Sequence, residues 1–283
     1  ASDAETPDQV EERLQESLKR MNTDYVDVYY LHGIDDPDFL RDEFGEWAKS
    51  AKERGLIKFF GFTTHDNITE MLNKAAGLDW VDVIMHSYNF RLMSDKQLNA
   101  AIDACYKAGK GLVAMKTMAR GSVARQEDNE LAQQLLKRGF TEGQVKLKVV
   151  LEDKRFASVC VGRDNLEHLA LNVAAVHDKT ALAREDVELL LQYAEATCDS
   201  YCAGCSKICN SAVPEAPYVN DIMRYLMYYN GYGEHQAARE EFAKIPADVR
   251  RKLLAVDYSA AESRCPQRMP IGKLVAEAVR KLA

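Results

Sequence analysis

Three cysteines, Cys202, Cys205 and Cys209, fall within "YCAGCSKIC", and a fourth, Cys265, stands before Pro266. Thiols this close in sequence can pair as disulfides, bind zinc as thiolates, or ligate an iron-sulfur cluster. The chain holds seven cysteines, and an odd count in 283 residues argues against a disulfide scaffold. Cys105 and Cys160 sit singly in apolar segments and read as small core residues. Cys198, just ahead of the motif, competes for a ligand place.

A second set of polar residues closes apolar runs of strand length. His32 ends "VDVYYLH", Thr63, Thr64 and His65 end "IKFFGFTTH", and Ser87, Tyr88 and Asn89 follow "VDVIMH". Lys116 ends the fourth run, and Gly162 and Arg163 end the fifth. Each alone is an ordinary loop residue. Together they form a set at the carboxyl ends of strands, where parallel α/β barrels place their chemistry. A histidine there can hydrogen bond a carbonyl oxygen. A glycine and an arginine ahead of a helix suit a phosphate, through close backbone approach, charge and free N–H groups.

The elements that must position these residues are legible as a repeating series. Apolar, β-branched runs at 26–32, 57–63, 81–88, 111–117 and 157–162 read as strands, and the intervening segments carry helical spacing, several closed by glycine. The runs are apolar on both faces, as parallel strands under helices should be, so the class is α/β with a barrel or a doubly wound sheet. A helix comes first: Thr6 and Pro7 open "PDQVEERLQESLKRM", whose Val10, Leu14, Leu18 and Met21 share a face. No strand precedes it, and five strands fall short of the eight of a closed barrel. Beyond residue 180 come helical segments, the cysteines, the loop "SAVPEAP", the aromatic stretch "DIMRYLMYYNGYGE" and the closing "CPQRMPIGKLVAEAV". The expected division is a barrel-type domain at 1–180 and a mostly helical module at 181–283.

Composition narrows the function. A content of 47% hydrophobic and 29% charged residues is globular, and a net charge of -7 disfavours nucleic acid or an anionic membrane as the main partner. No apolar stretch reaches the roughly 20 residues of a membrane span, and the acidic start does not resemble a secretory signal. A cytoplasmic protein with a small-molecule partner is expected.

Taken in order, "ESLKRMNTDYVDVYYLHGID", "GLIKFFGFTTHDN", "VDVIMHSYNF", "GLVAMKTMARG" and "SVCVGRDNLEHLALNVAAV" resemble the aldo-keto reductases over residues 8–178. The resemblance implies a (β/α)8 TIM barrel, incomplete here at its N-terminus, with NADP(H) or NAD(H) lying across the carboxyl-end face and exchanging hydride with a small-molecule carbonyl or alcohol. It implies that His32 orients the substrate carbonyl and that Thr63, Thr64, Lys116, Gly162, Arg163, Asp164, His168 and Asn172 hold the dinucleotide. Met85 stands where a glutamine is common, and His168 where many members carry an arginine. The family's catalytic aspartate, tyrosine and lysine precede the matched region, so the sequence is expected to be a piece of a longer enzyme. The alternative is a non-catalytic barrel that acts in binding or electron transfer.

The spacing Cys202-x2-Cys205-x3-Cys209 with a distant Cys265-Pro266 resembles ferredoxin-like 4Fe-4S ligation more than zinc ligation. "CPQRMPI" is similar to the closing motif of iron-sulfur members of the same family. Two-cluster versions carry three more cysteines where this chain has Ala255, Tyr258 and Ala261, so one cluster is expected. Its ligands would be Cys202, Cys205, Cys209 and Cys265, with Cys198 in place of Cys209 as the other choice and a four-cysteine zinc site as the competing chemistry. A cluster also implies an electron-transfer partner.

Overall fold

Leu31, Phe62, Ile84 and Leu112 form one row across four neighbouring strands, each with no exposed surface, and the sheet is built around them. The computed structural model describes residues 4–119, 130–137, 139, 141–162, 165–196, 201–265 and 267–283. Its strands are β1 (Val26–Leu31), β2 (Ile57–Thr64), β3 (Val83–Ser87), β4 (Gly111–Met115) and β5 (Ser158–Cys160). They are parallel and lie in sequence order, the arrangement expected of a βα series. Four are shorter than their apolar runs. β4 stops because Lys116 turns to φ 56, outside the extended region, and β5 retains only three residues of its run.

Packing divides the chain into two compact units. The first takes in residues 1–88, 95–115 and 153–160, and so the whole sheet. Here α1 (Pro7–Met21) starts where the Thr6 side chain accepts from the Gln9 amide, with Pro7 in the first turn, and it ends at Asn22 in the left-handed region. With α2 (Asp42–Glu53), α3 (Ile68–Ala75) and α4 (Lys96–Lys107) it belongs to the helical layer on one face of the sheet. On that face Phe60 lies between Trp47 and Trp80, at ring separations of 5.1 and 5.9 Å. A side chain at Gly61 would run into the Val83 carbonyl, so the approach of β2 to β3 requires glycine there.

The opposite face is only partly covered: Thr63, Ser87 and Met115 are buried at its carboxyl end, and other positions keep exposure. Phe59 is 49% exposed, although its neighbour Phe60 is fully buried, because successive strand residues point to opposite sides. Cys160, expected in the core, is exposed: in β5 it falls on this open side, and the half-buried Val159 falls on the other. Tyr30 on β1 is raised in pKa by burial first and by Cys160 on β5 second. This is a half-barrel of parallel strands.

The second unit comprises residues 89–94, 116–152 and 161–283. Its first helices are α5 (Glu130–Lys137), α6 (Glu142–Leu151), α7 (Leu166–His177) and α8 (Arg184–Ala196). Thr141 and Gln144 form a capping box at the start of α6. The remaining helices are α9 (Ser206–Ala212), α10 (Val219–Met227), α11 (His235–Lys244), α12 (Ala247–Arg250), α13 (Ser259–Arg264) and α14 (Ile271–Leu282). Val219, Ile222 and Leu226 of α10 pack in one core with Phe242 of α11 and with Leu274, Val275 and Ala278 of α14. A π-helical turn at Tyr228–Tyr232 follows α10. Among the described residues no helix is long and apolar enough to cross a membrane.

Candidate functional site

In the first unit the polar residues at the ends of β1, β2 and β3 are tied to one another. Gly33, at φ 66, donates its amide to Thr63 Oγ1 at 2.9 Å, and the Ile34 amide donates to the Thr63 carbonyl at 2.8 Å. The loop that carries the exposed His32 is thereby fixed to β2. Thr63 shares its row with Met85 and Val113 on the open face. Thr64 points the other way, fully buried, with its hydroxyl 2.8 Å from both an Asp35 carboxylate oxygen and the Asp66 carbonyl. His65 Nδ1 lies 3.3 Å from Ser87 Oγ.

Asp35 organises this corner and was not among the expected site residues. Its carboxylate accepts from the backbone amides of His65 and Asp66, each at 3.0 Å, and its carbonyl accepts from Asn67 Nδ2 at 2.9 Å. An aspartate just past a strand end is a weak signal, since most such residues only cap their own loop.

Tyr88 belongs to a different network. Its hydroxyl donates to Asp153 at 3.1 Å and accepts from Arg155 at 3.2 Å. Arg155 also bonds both oxygens of Asp153, and Asp103 and Asn99 besides. Burial raises the Tyr88 pKa, and the Asp153 charge adds to this. Burial works to raise Asp153 too, but the Arg155 bonds hold it below the usual carboxylate range. This assembly is a brace for the β3 end, with its proton fixed.

In the second unit Lys116 carries an exposed side chain on a left-handed backbone, and Ala119, at φ 53, repeats that conformation. Non-glycine residues held there store strain, which concentrates at functional sites. The turn is held from within: the Lys116 carbonyl accepts from the Ala119 amide at 2.9 Å and from Asn89 Nδ2 at 3.2 Å. Asn89 is fully buried, and the same amide nitrogen donates to the Tyr201 hydroxyl at 3.0 Å, next to Cys202. Gly162 is exposed, with open space where a side chain would start. Arg163 and Asp164 lie outside the described residues. Asn165 caps α7 by accepting from the His168 amide at 2.8 Å. Asn172, one turn beyond His168, is 8% exposed, and its Oδ1 has no hydrogen-bond partner among the described residues.

Three of the four expected cysteine ligands are raised in pKa, by burial first and by their neighbours second. Burial pushes Cys202 up to about 12, and Cys209 and Cys265 add to that rise. Cys205 is raised by burial and then by Cys202, Cys209 and Cys265. Cys209 reaches about 11, through burial first and Cys265 second. Among the described residues no group of three or more His, Cys, Asp or Glu side chains is arranged at the spacing of a metal-ion site. Cys198 lies outside the described residues.

Comparison with known proteins places this geometry in context. L-glyceraldehyde 3-phosphate reductase of Escherichia coli O157:H7 is 26% identical over 213 residues, taking in 61% of this chain and 59% of that protein. L-galactose dehydrogenase of Arabidopsis thaliana is 26% identical over 208 residues, 65% of each. The holo form of aldo-keto reductase AKR11C1 from Bacillus halodurans matches with a TM-score of 0.55 at 21% identity, over 71% of this chain and 70% of that one, a likeness of fold. The chain thus spans about three fifths of the length of the curated relatives it matches first. A model described as the aldo/keto reductase family matches residues 1–194, which hold all five strands, His32, Thr63 and Lys116, and the chain belongs to that family.

Proposed function

We propose that the chain acts in an NAD(P)-dependent oxidoreductase that interconverts a small-molecule carbonyl and alcohol, and that it carries one 4Fe-4S cluster on Cys202, Cys205, Cys209 and Cys265. The oxidoreductase assignment is carried by the His32 loop, which Thr63 fastens at the strand ends of a half-barrel in this family.

The bound dinucleotide would supply the hydride. His32 would donate to the substrate oxygen, where negative charge develops as the carbonyl is reduced. Thr63 Oγ1 accepts from Gly33, which leaves its own proton for an acceptor such as a carboxamide oxygen. Thr64 would act through Asp35, by fixing the loop. Lys116 places an ammonium on a strained turn, Gly162 admits close backbone approach, and Arg163 and Asp164 precede α7. His168 would meet phosphate, and the orphaned Asn172 Oδ1 fits an amino group such as that of adenine.

The cluster reading is supported by sequence, through the Cys202-x2-Cys205-x3-Cys209 spacing with the distant Cys265-Pro266, which is similar to ferredoxin-like ligation. Anaerobically purified full-length protein is expected to quench NAD(P)H fluorescence, to reduce members of a broad carbonyl panel, and to hold iron and sulfide with a reduced-state paramagnetic spectrum. No quenching and no turnover would reject the oxidoreductase assignment. Zinc, or no metal, would reject the cluster.

A further inference from the structure

We propose that His65 holds the amino group of the nicotinamide carboxamide, with Asp35 and Ser87 as the residues that position it, an inference that rests on the dinucleotide proposed above. Thr63 Oγ1 accepts from Gly33 and has one proton to give, which suits the carboxamide oxygen. The amino group then calls for an acceptor elsewhere. Met85, paired with Thr63 across β2 and β3, offers only a thioether, which is a weak one.

His65 comes next on the face that Thr63 and Met85 share. Successive strand residues alternate sides, so β2 passes from Thr63 through the fully buried Thr64 to His65, and β3 from Met85 through the fully buried His86 to Ser87. Thr64 and His86 are the last pair that the two strands share, and one step further the side chains meet, with His65 Nδ1 3.3 Å from Ser87 Oγ. The backbone beneath the ring is anchored to the loop after β1, since Asp35 Oδ1 accepts from the His65 and Asp66 amides at 3.0 Å and from the Thr64 hydroxyl at 2.8 Å.

The hydrogen bond made by one ring nitrogen sets the state of the other. With the proton on Nδ1 and given to Ser87 Oγ, the lone pair falls on Nε2, and the neutral imidazole accepts an N–H there. Two residues apart on one face, Thr63 presents a donor and His65 an acceptor. That pair is the complement of a primary amide, which carries an oxygen and an amino group side by side. A ketone in the same place meets Thr63 and brings nothing for His65.

The test uses the full-length protein and a dinucleotide with 3-acetylpyridine in place of nicotinamide, in which a methyl group replaces the amino group and the oxygen is kept. Calorimetric titrations with NAD+, with NADP+, and with the acetylpyridine analogue of whichever binds more tightly give a ratio of dissociation constants. The wild type is expected to bind the analogue roughly tenfold more weakly than the natural dinucleotide. His65→Leu should lose this discrimination, with a ratio of about one, because the lost bond costs only the natural ligand. His65→Gln should keep most of it through its side-chain oxygen, and Ser87→Ala, which no longer fixes the tautomer, should fall between. A His65→Leu variant that weakens both ligands alike and keeps the wild-type ratio, or a wild type that binds both alike, would overturn this inference and leave the oxidoreductase standing. A wild type that binds neither NAD+ nor NADP+ would overturn both.

Discussion

Thr63 Oγ1 accepts the Gly33 amide at 2.9 Å, and this bond joins the end of β2 to the loop that carries His32. Thr63→Val removes the acceptor at nearly constant volume and leaves the Gly33 amide without it. The expected cost is about 1–2 kcal/mol in urea unfolding. In the assembled enzyme kcat/KM for a carbonyl substrate should fall roughly tenfold, because His32 loses its fixed position. Thr63→Ser should retain both properties. Wild-type turnover in Thr63→Val would remove Thr63 from the site.

Arg155 gives a second prediction. It holds Asp153, Asp103, Asn99 and Tyr88 at once, with its own side chain largely buried. Arg155→Met leaves Asp153 buried without its counter-charge, and the cost of breaking such a pair is on the order of 3 kcal/mol. Tyr88→Phe should cost only about 1 kcal/mol, since Asp153 keeps Arg155. Urea midpoints for the two variants and their combination form a double-mutant cycle. Equal costs for the two single variants would show that the brace is not centred on Arg155.

The buried His86 makes stability depend on pH. It has no exposed surface, packs against Phe156 at a ring separation of 5.4 Å, and is lowered by burial from 6.5 to about 4. Its pKa is depressed in the folded state, so the neutral ring's contribution is fully present above about 6.5 and is lost as pH falls toward about 4. The wild type should therefore destabilise steadily across that window, by an amount on the order of 3 kcal/mol. His86→Phe should flatten this part of the profile. The check is a set of chemical melts from pH 7 to pH 4 on both proteins.

The parallel sheet was legible because each strand is a β-branched or aromatic run, and the helix starts because Thr6 and Pro7 announce the first of them. The strand-end residues were legible as a set, since a repeating βα series places loops at predictable points. Asp35 and Arg155 were not, nor was the partner of Asn89. The pairs lie far apart along the chain: Thr64 for Asp35, Tyr201 for Asn89, and Asp103 and Tyr88 for Arg155. No spacing rule connects such pairs. Thr63 and Thr64 read alike in sequence, yet strand alternation puts one hydroxyl on the open face and the other under the helices. Cys160 was misjudged for the same reason: an apolar run shows that a strand is flanked on both sides, not which side is covered.

That last point is open to direct measurement. Cys105 is fully buried, its Sγ donates to the Leu72 carbonyl at 3.2 Å, and burial lifts its thiol to about 11. Cys160 stands exposed on the open side of β5. Brief treatment of the native protein with a small alkylating reagent near pH 8, read by peptide mass spectrometry, should label Cys160 and leave Cys105 unmodified until the chain unfolds. If Cys160 is protected as strongly as Cys105, something covers that face in the native protein. Urea would then separate two cases. Protection lost only with global unfolding means that the covering element folds as part of the half-barrel. Protection lost at lower urea, with the tryptophan signal of Trp47 and Trp80 still native, means that the cover comes away first.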